Sequence, residues 1–293
     1  MKVFFQQCVT GISIGSVYAL LAVGYALIYS IYNFTNFAFG SFMMVGAWAG
    51  YLAMSYLKLP FIFGILFSII IGVGVSLLTE TVAYRTLRAR GASRMYLMIT
   101  AMGINIFITQ LCAVVLGTHL KNIQTEWSTK TLSIFGATIG LTDVLALILS
   151  LVFLAGLWVF IYMTKPGLAI RASAHDTSAA ALMGINQNAV SIIVFSISGV
   201  VAGLSGLFFG MKYAVYSGLG SSIGTKCFIA GVLGGFGSLP GAVVGGLLLG
   251  LLETLVAGYI SSAYRDLFSY LVLILVLLFL PNGIMGKDIR DKM

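Results

Sequence analysis

The sequence predicts an all-α polytopic membrane protein with about eight transmembrane helices. Hydrophobic residues make up 60% of the 293 positions and charged residues only 8%, with a mean hydropathy of +1.07, so the chain lacks the polar surface of a soluble protein this long. Runs of about 20 apolar residues recur from end to end, each long enough to cross the hydrocarbon layer as a helix. These runs do not alternate in polarity as the strands of a membrane barrel would.

In chain order the apolar segments fall at 8–31, 36–57, 60–84, 95–117, 141–163, 189–211, 226–260 and 266–281. Lys2 before an apolar run has the look of a secretory leader. The run from Cys8 to Ile31 is longer than a leader's core and has no small-residue cleavage site, so it is read as the first span. The segment 226–260 is too long for one simple crossing. Its stretch GVLGGFGSLPGAVVGG should break a helix near 226–240, giving two short crossings or a re-entrant element followed by a span. The count is then eight or nine, and residues 1–293 form a single transmembrane domain.

Basic residues near the span ends set the orientation. Arg85, Arg88, Arg90 and Arg94 crowd one short loop, and Lys165 and Arg171 open the loop two spans later, so both loops are expected in the cytoplasm. The loop at 118–140, with Lys121 and Lys130 offset by Glu126 and with Trp127, suits the outer face, and the tail GKDIRDKM the inner one. The net charge of +8 is thus spread over short loops and forms no stripe for nucleic acid. Glycines recur four apart, as at Gly11 and Gly15, Gly46 and Gly50, Gly199 and Gly203, and Gly246 and Gly250, a spacing that lets membrane helices approach closely.

Residues 164–188 break the apolar pattern. Pro166 suits a first helical turn, Asp176 can cap a second short helix, and Gly184 can end it in the left-handed conformation. Between them Ala179, Ala180 and Ala181 favour helix, and Leu182 with Met183 forms an apolar tip that needs a surface to press against.

Chemistry is sparse elsewhere. GSSIGTKC at Gly220–Cys227 fails the phosphate-cradling pattern, so the chain is not expected to hydrolyse nucleotide. His119 and His175 lack neighbouring ligands, and Cys8, Cys112 and Cys227 have no paired spacing, so neither a metal site nor a disulfide framework is expected. No activated nucleophile stands out, and an enzyme active site is not expected. Glu253 is the clearest acid inside an apolar run, either an ion-pair anchor to Lys226, Lys212 or Arg265 or a group in a pathway or gate. Glu80 and Lys212, near span ends, are expected to snorkel to the interface. Asn33 and Asn36 either cap a turn or, with Phe37 and Phe39, line a passage for a small solute; Asn105 and Gln110 are divided in the same way.

NFTNFAFGSFMMVGAW, KPGLAIRASAHDTSAAALMGIN and KCFIAGVLGGFGSLPGAVVGGLLLGLLETLVAGY, in that order, resemble the permease subunits of high-affinity branched-chain amino acid ABC transporters, the Liv type. The resemblance covers nearly the whole chain. It implies a multi-pass subunit of the bacterial inner membrane that pairs with a second, homologous permease. A periplasmic binding protein would deliver the solute, and two cytoplasmic ATPase subunits would bind ATP and Mg, no cofactor being held by this chain. The cytoplasmic helix would be the coupling element, carried by Gly167, Arg171, Ala172, Asp176, Ala180, Gly184, Ile185 and Asn186 with Leu182 and Met183 at the tip. The chain departs from the family pattern at Phe39, often His, at Ser41, often acidic, and at Leu280, often Arg. Related permeases serve urea, amides and other amino acids, which leaves the solute open. An ATPase-independent secondary transporter using Glu253 is the competing class.

Overall fold

Twelve α-helices follow one another in the computed structural model, which describes residues 2–123, 130–134 and 137–286. Helix α1 (Lys2–Tyr32) ends at Asn33, which has a φ of 51°. Helix α2 (Phe39–Tyr51) continues through a π-helical turn at Leu52–Tyr56. After Pro60 comes α3 (Phe61–Thr79), a second π turn at Glu80–Tyr84, and the short α4 (Arg85–Ala89). Helix α5 (Arg94–Leu116) stops at Gly117, and strands β1 (Thr131–Ile134) and β2 (Ala137–Gly140) pair antiparallel before α6 (Leu141–Met163). Then follow α7 (Lys165–His175), α8 (Thr177–Leu182), α9 (Gln187–Lys212), α10 (Leu219–Gly234), α11 (Leu239–Tyr259) and α12 (Arg265–Phe279).

Among the described residues seven helical stretches are long and apolar enough to cross a membrane, and α10 is a shorter apolar helix. The chain is an all-α, multi-pass membrane protein. The expected features at Glu126, Trp127 and the last seven residues lie outside the described residues.

One expected boundary is present and another differs. The segment 226–260 divides at Gly235–Ser238, with φ of +99° at Gly235 and +85° at Gly237, and Pro240 sits in the first turn of α11, where its missing N–H costs nothing. Helix α10 starts at Leu219 instead of near 226, because GSSIG is recruited by packing: a Cβ on Gly224 would stand 3.0 Å from the Gly40 Cα. Neither the π turns nor the β-hairpin follows from hydropathy.

The chain forms two compact units, residues 1–26, 125–151 and 225–293, and residues 27–124 and 152–224. In the first unit α1 lies against α11 through glycine; a Cβ on Gly15 would meet the Leu247 Cα at 3.0 Å. Tyr25 rests against Phe228 and Phe236, with ring centroids 6.2 and 6.1 Å away, and Val232, Leu233 and Val276 complete a small core. The segment after α12 closes on the glycine break, the Ile284 and Met285 N–H groups donating to the Leu233 and Gly234 carbonyls at 2.9 and 3.0 Å.

In the second unit α2, α3 and α9 form a tight three-helix contact. A Cβ on Gly46 would come within 2.6 Å of the Gly203 Cα, and one on Gly199 within 2.6 Å of the Val73 Cα. The Ser68 hydroxyl sits 2.6 Å from the Gly46 carbonyl and 2.7 Å from that of Gly203, a donor shared across the contact. Helix α5 instead exposes Ile106, Phe107, Val114 and Val115, an apolar surface suited to lipid or another membrane chain.

Candidate functional site

Thr164 opens the segment that breaks the hydropathy pattern, its Oγ1 accepting from the Gly167 N–H at 3.2 Å. Gly167 has no space for a side chain beside the Ile161 backbone, which fixes the corner between α6 and α7. Arg171 folds its guanidinium 5.2 Å from the Tyr162 ring centroid. At Asp176 the chain turns, and its Oδ1 accepts from the Ser178 and Ala179 N–H groups at 2.8 and 3.0 Å, starting α8. Gly184 ends it with a φ of +85°: the Gly184 N–H donates to the Ala181 carbonyl and the Ile185 N–H to the Ala180 carbonyl, both at 3.0 Å. Asn186 then caps α9 by accepting from the Asn188 and Ala189 N–H groups.

The consequence is a six-residue helix locked at both ends. Ala180 faces inward, while Leu182 and Met183 are 89% and 84% exposed. Two large apolar side chains therefore stand exposed at the end of a short helix capped on both sides.

A second constellation sits where α1 gives way to α2. Asn33 is exposed and terminates α1. Asn36 is buried; its Oδ1 accepts from the Ala38 N–H at 3.1 Å and from the Tyr84 hydroxyl at 2.8 Å. The Asn36 Nδ2 is buried without a hydrogen-bond partner. Phe37 is half-buried, and Phe39 is buried edge-on to Phe42. Ser41 turns its hydroxyl back to the Ala38 carbonyl at 2.7 Å. Asn36 thus fixes the turn before α2 through its side chain, and Asn33 ends α1 through its backbone conformation. Asn105 lies on α5 with its Oδ1 buried and unpaired.

Below Asn36 lies an ion pair. Glu80 is 1% exposed, and Arg88 holds it bidentately, Nη1 to Oε2 at 3.0 Å and Nη2 to Oε1. Snorkelling is thus not what Glu80 does: the π turn brings Glu80 and Tyr84 to the buried side, and Arg88 reaches back across the turn to neutralise the carboxylate. The Arg88 Nη2 also donates to the Ser191 Oγ at 3.2 Å, and its guanidinium stands 4.6 Å from the Tyr32 ring centroid.

The third constellation, in the first unit, surrounds Glu253, which is wholly buried. Tyr18 donates its hydroxyl to Oε2 at 2.9 Å, Ser269 donates to Oε1 at 2.8 Å, and the Lys226 Nζ lies 3.1 Å from Oε1. Lys226 also reaches the exposed Asp266, at 2.8 Å. Of the three cations weighed for Glu253, Lys226 pairs with it directly. The contributions of Tyr18, Ser269 and Asp266, and of Tyr84, Arg88 and Ser191 in the second unit, were not anticipated. Only the Glu80 and Arg88 charges at the edge of an apolar run gave a signal. Among the described residues no group of three or more His, Cys, Asp or Glu comes together to hold a metal.

Comparison with known proteins gives a family for the whole chain. A family model described as branched-chain amino acid transport system, permease component, matches residues 7–277. The chain is similar to the high-affinity branched-chain amino acid transport system permease protein LivH of Escherichia coli strain K12, 34% identical over 99% of this chain and 97% of that one. It is also similar to the corresponding permease protein BraD of Pseudomonas aeruginosa, 35% identical over 99% and 98% of the two chains. A probable branched-chain amino acid transport permease protein LivH of Methanocaldococcus jannaschii is 31% identical over 92% and 88%.

Proposed function

This chain belongs to the branched-chain amino acid transport permease family, and from that membership we propose that it is the membrane-spanning subunit of an ATP-driven importer for branched-chain or related small amino acids. It works in a bacterial inner membrane beside a second, homologous permease. Two cytoplasmic ATPase subunits carry the ATP and Mg, and a periplasmic binding protein presents the solute. The chain itself makes and breaks no covalent bond.

The observation that carries the reading is α8. A helix capped at both ends that exposes Leu182 and Met183 has the shape of a part pushed by another protein. With its ends locked, movement of the tip passes into α7 and α9 instead of being lost in fraying. A proton-driven alternative through Glu253 finds less support, because that carboxylate is already engaged by a lysine and two hydroxyls.

The test replaces both tip residues, Leu182→Asp with Met183→Asp, in the complete transporter. Uptake and retention of the ATPase subunits should fall while membrane insertion persists. Uptake at the wild-type rate, or transport by this chain in liposomes without an ATPase, refutes the reading.

A further inference from the structure

We infer that Glu80, Tyr84, Arg88 and Ser191 are positioning residues that carry the movement of α8 to the α1–α2 break at Asn36. The inference rests on α8 being the coupling helix, and its test separates the two.

The connection is continuous within the second unit. From α8, the Thr177 carbonyl accepts from the Gln187 side-chain amide at 3.3 Å. One turn into α9, the Ser191 hydroxyl donates to the Gln187 carbonyl at 2.8 Å. Its oxygen then accepts from Arg88 at 3.2 Å and pairs with the Tyr32 hydroxyl, using all the capacity of a serine. Arg88 grips Glu80 with both nitrogens, Glu80 opens the π turn, and Tyr84 closes it. Tyr84 in turn donates to Asn36, whose Oδ1 also fixes the start of α2 through Ala38.

Three features suit this path to transmitting movement. First, the Glu80 carboxylate is buried, so it cannot exchange Arg88 for water; the two must move together or the charge is left bare. Second, aromatic rings wall the path: Tyr84 lies 5.4 Å from Phe34 and 5.5 Å from Phe195, and Tyr32 lies 6.3 Å from Phe195. Close packing of rigid rings passes a displacement on without absorbing it. Third, the π turn is the place where the α3–α4 rod holds an extra residue, so it can rewind while the helix on either side stays intact. In this inference it is the element that switches between two states, as a coupling path requires.

At the far end the Asn36 Nδ2 is buried and unpaired. Release of Tyr84 would let the amide turn, so a shift at Ser191 ends as a change in the polar groups at the helix break.

The test uses the complete transporter reconstituted in proteoliposomes, measuring solute taken up per ATP hydrolysed. Tyr84→Phe keeps the ring and removes only the donor to Asn36; Ser191→Ala removes the acceptor for Arg88. Each should retain the ATPase subunits and ATP hydrolysis yet lower uptake per ATP by about fivefold or more, the scale of a coupling free energy between sites. The double variant should be no worse than the poorer single one, because both interrupt one path. Ser16→Ala removes another buried hydroxyl, bonded to the Ser13 carbonyl at 2.8 Å within α1 and outside the path, and should leave the ratio unchanged.

An unchanged ratio in Tyr84→Phe and Ser191→Ala overturns the inference. So does a parallel loss of uptake and hydrolysis with a lowered melting temperature, which marks a purely structural role. If the α8 tip variants transport normally, the coupling-helix reading itself fails.

Discussion

Removing the charge of Lys226 while leaving Glu253 in place should destabilise the first unit severely, and removing both charges should restore most of the loss. Glu253 has no exposed surface, and Lys226 is only 9% exposed. In the Lys226→Met variant the carboxylate keeps the Tyr18 and Ser269 hydroxyls, at 2.9 and 2.8 Å, and loses the ammonium that stands 3.1 Å away. Stranding one member of a buried pair costs about 3–5 kcal/mol, whereas replacing both by neutral groups of similar size is often close to neutral. Glu253→Gln keeps one oxygen to accept from one hydroxyl and offers an amide N–H to the oxygen of the other, so Lys226→Met with Glu253→Gln should recover at least about 2 kcal/mol of the single-variant loss. At roughly 2–4 °C per kcal/mol, the lysine variant alone should melt on the order of 10 °C early. Asp266 is the control: its side chain is 61% exposed, so Asp266→Asn should cost less than about 1 kcal/mol. Cys227 and Cys112, both buried, report unfolding in detergent by becoming reactive to a maleimide dye. A lysine variant that melts with the wild type, or a double variant as fragile as the single one, refutes the argument.

Three further outcomes are expected. Asp176→Ala removes the acceptor for two N–H groups of α8 and should cost that helix about 0.5–2 kcal/mol, read as faster amide exchange at residues 178–181 and weaker ATPase retention with normal insertion. Gly203→Leu forces a side chain into the three-helix contact, where a Cβ already stands 3.0 Å from the Ile69 Cα, and should cost about 1–3 kcal/mol or more in a thermal melt. Gly103→Ala, with open space around its position on α5, should be neutral or stabilising by up to about 1 kcal/mol in the same assay.

Local signals read well when the physics is local. The Asp176 cap, the left-handed Gly184 and the exposed tip at Leu182 and Met183 were all legible, because each depends on residues within a turn or two of one another. Membrane class was equally plain, since hydropathy sums over residues without regard to fold. The glycine pairs announced close packing, but not that Gly46 meets Gly203 or that Gly15 lies against Leu247.

What stayed hidden depends on partners far apart in the chain. Glu80 at the edge of an apolar run reads as a snorkelling acid, yet it is buried because Arg88 and the π turn make burial affordable. Tyr18, Lys226 and Ser269 converge on Glu253 across as many as 235 positions, and Tyr84 finds Asn36 across 48. Composition and short-range spacing decided that this chain crosses the membrane repeatedly and presents one capped knob. The tertiary structure alone decided which buried charges neutralise one another, because in a low-dielectric interior that depends on a few ångströms of placement that no one-dimensional pattern records.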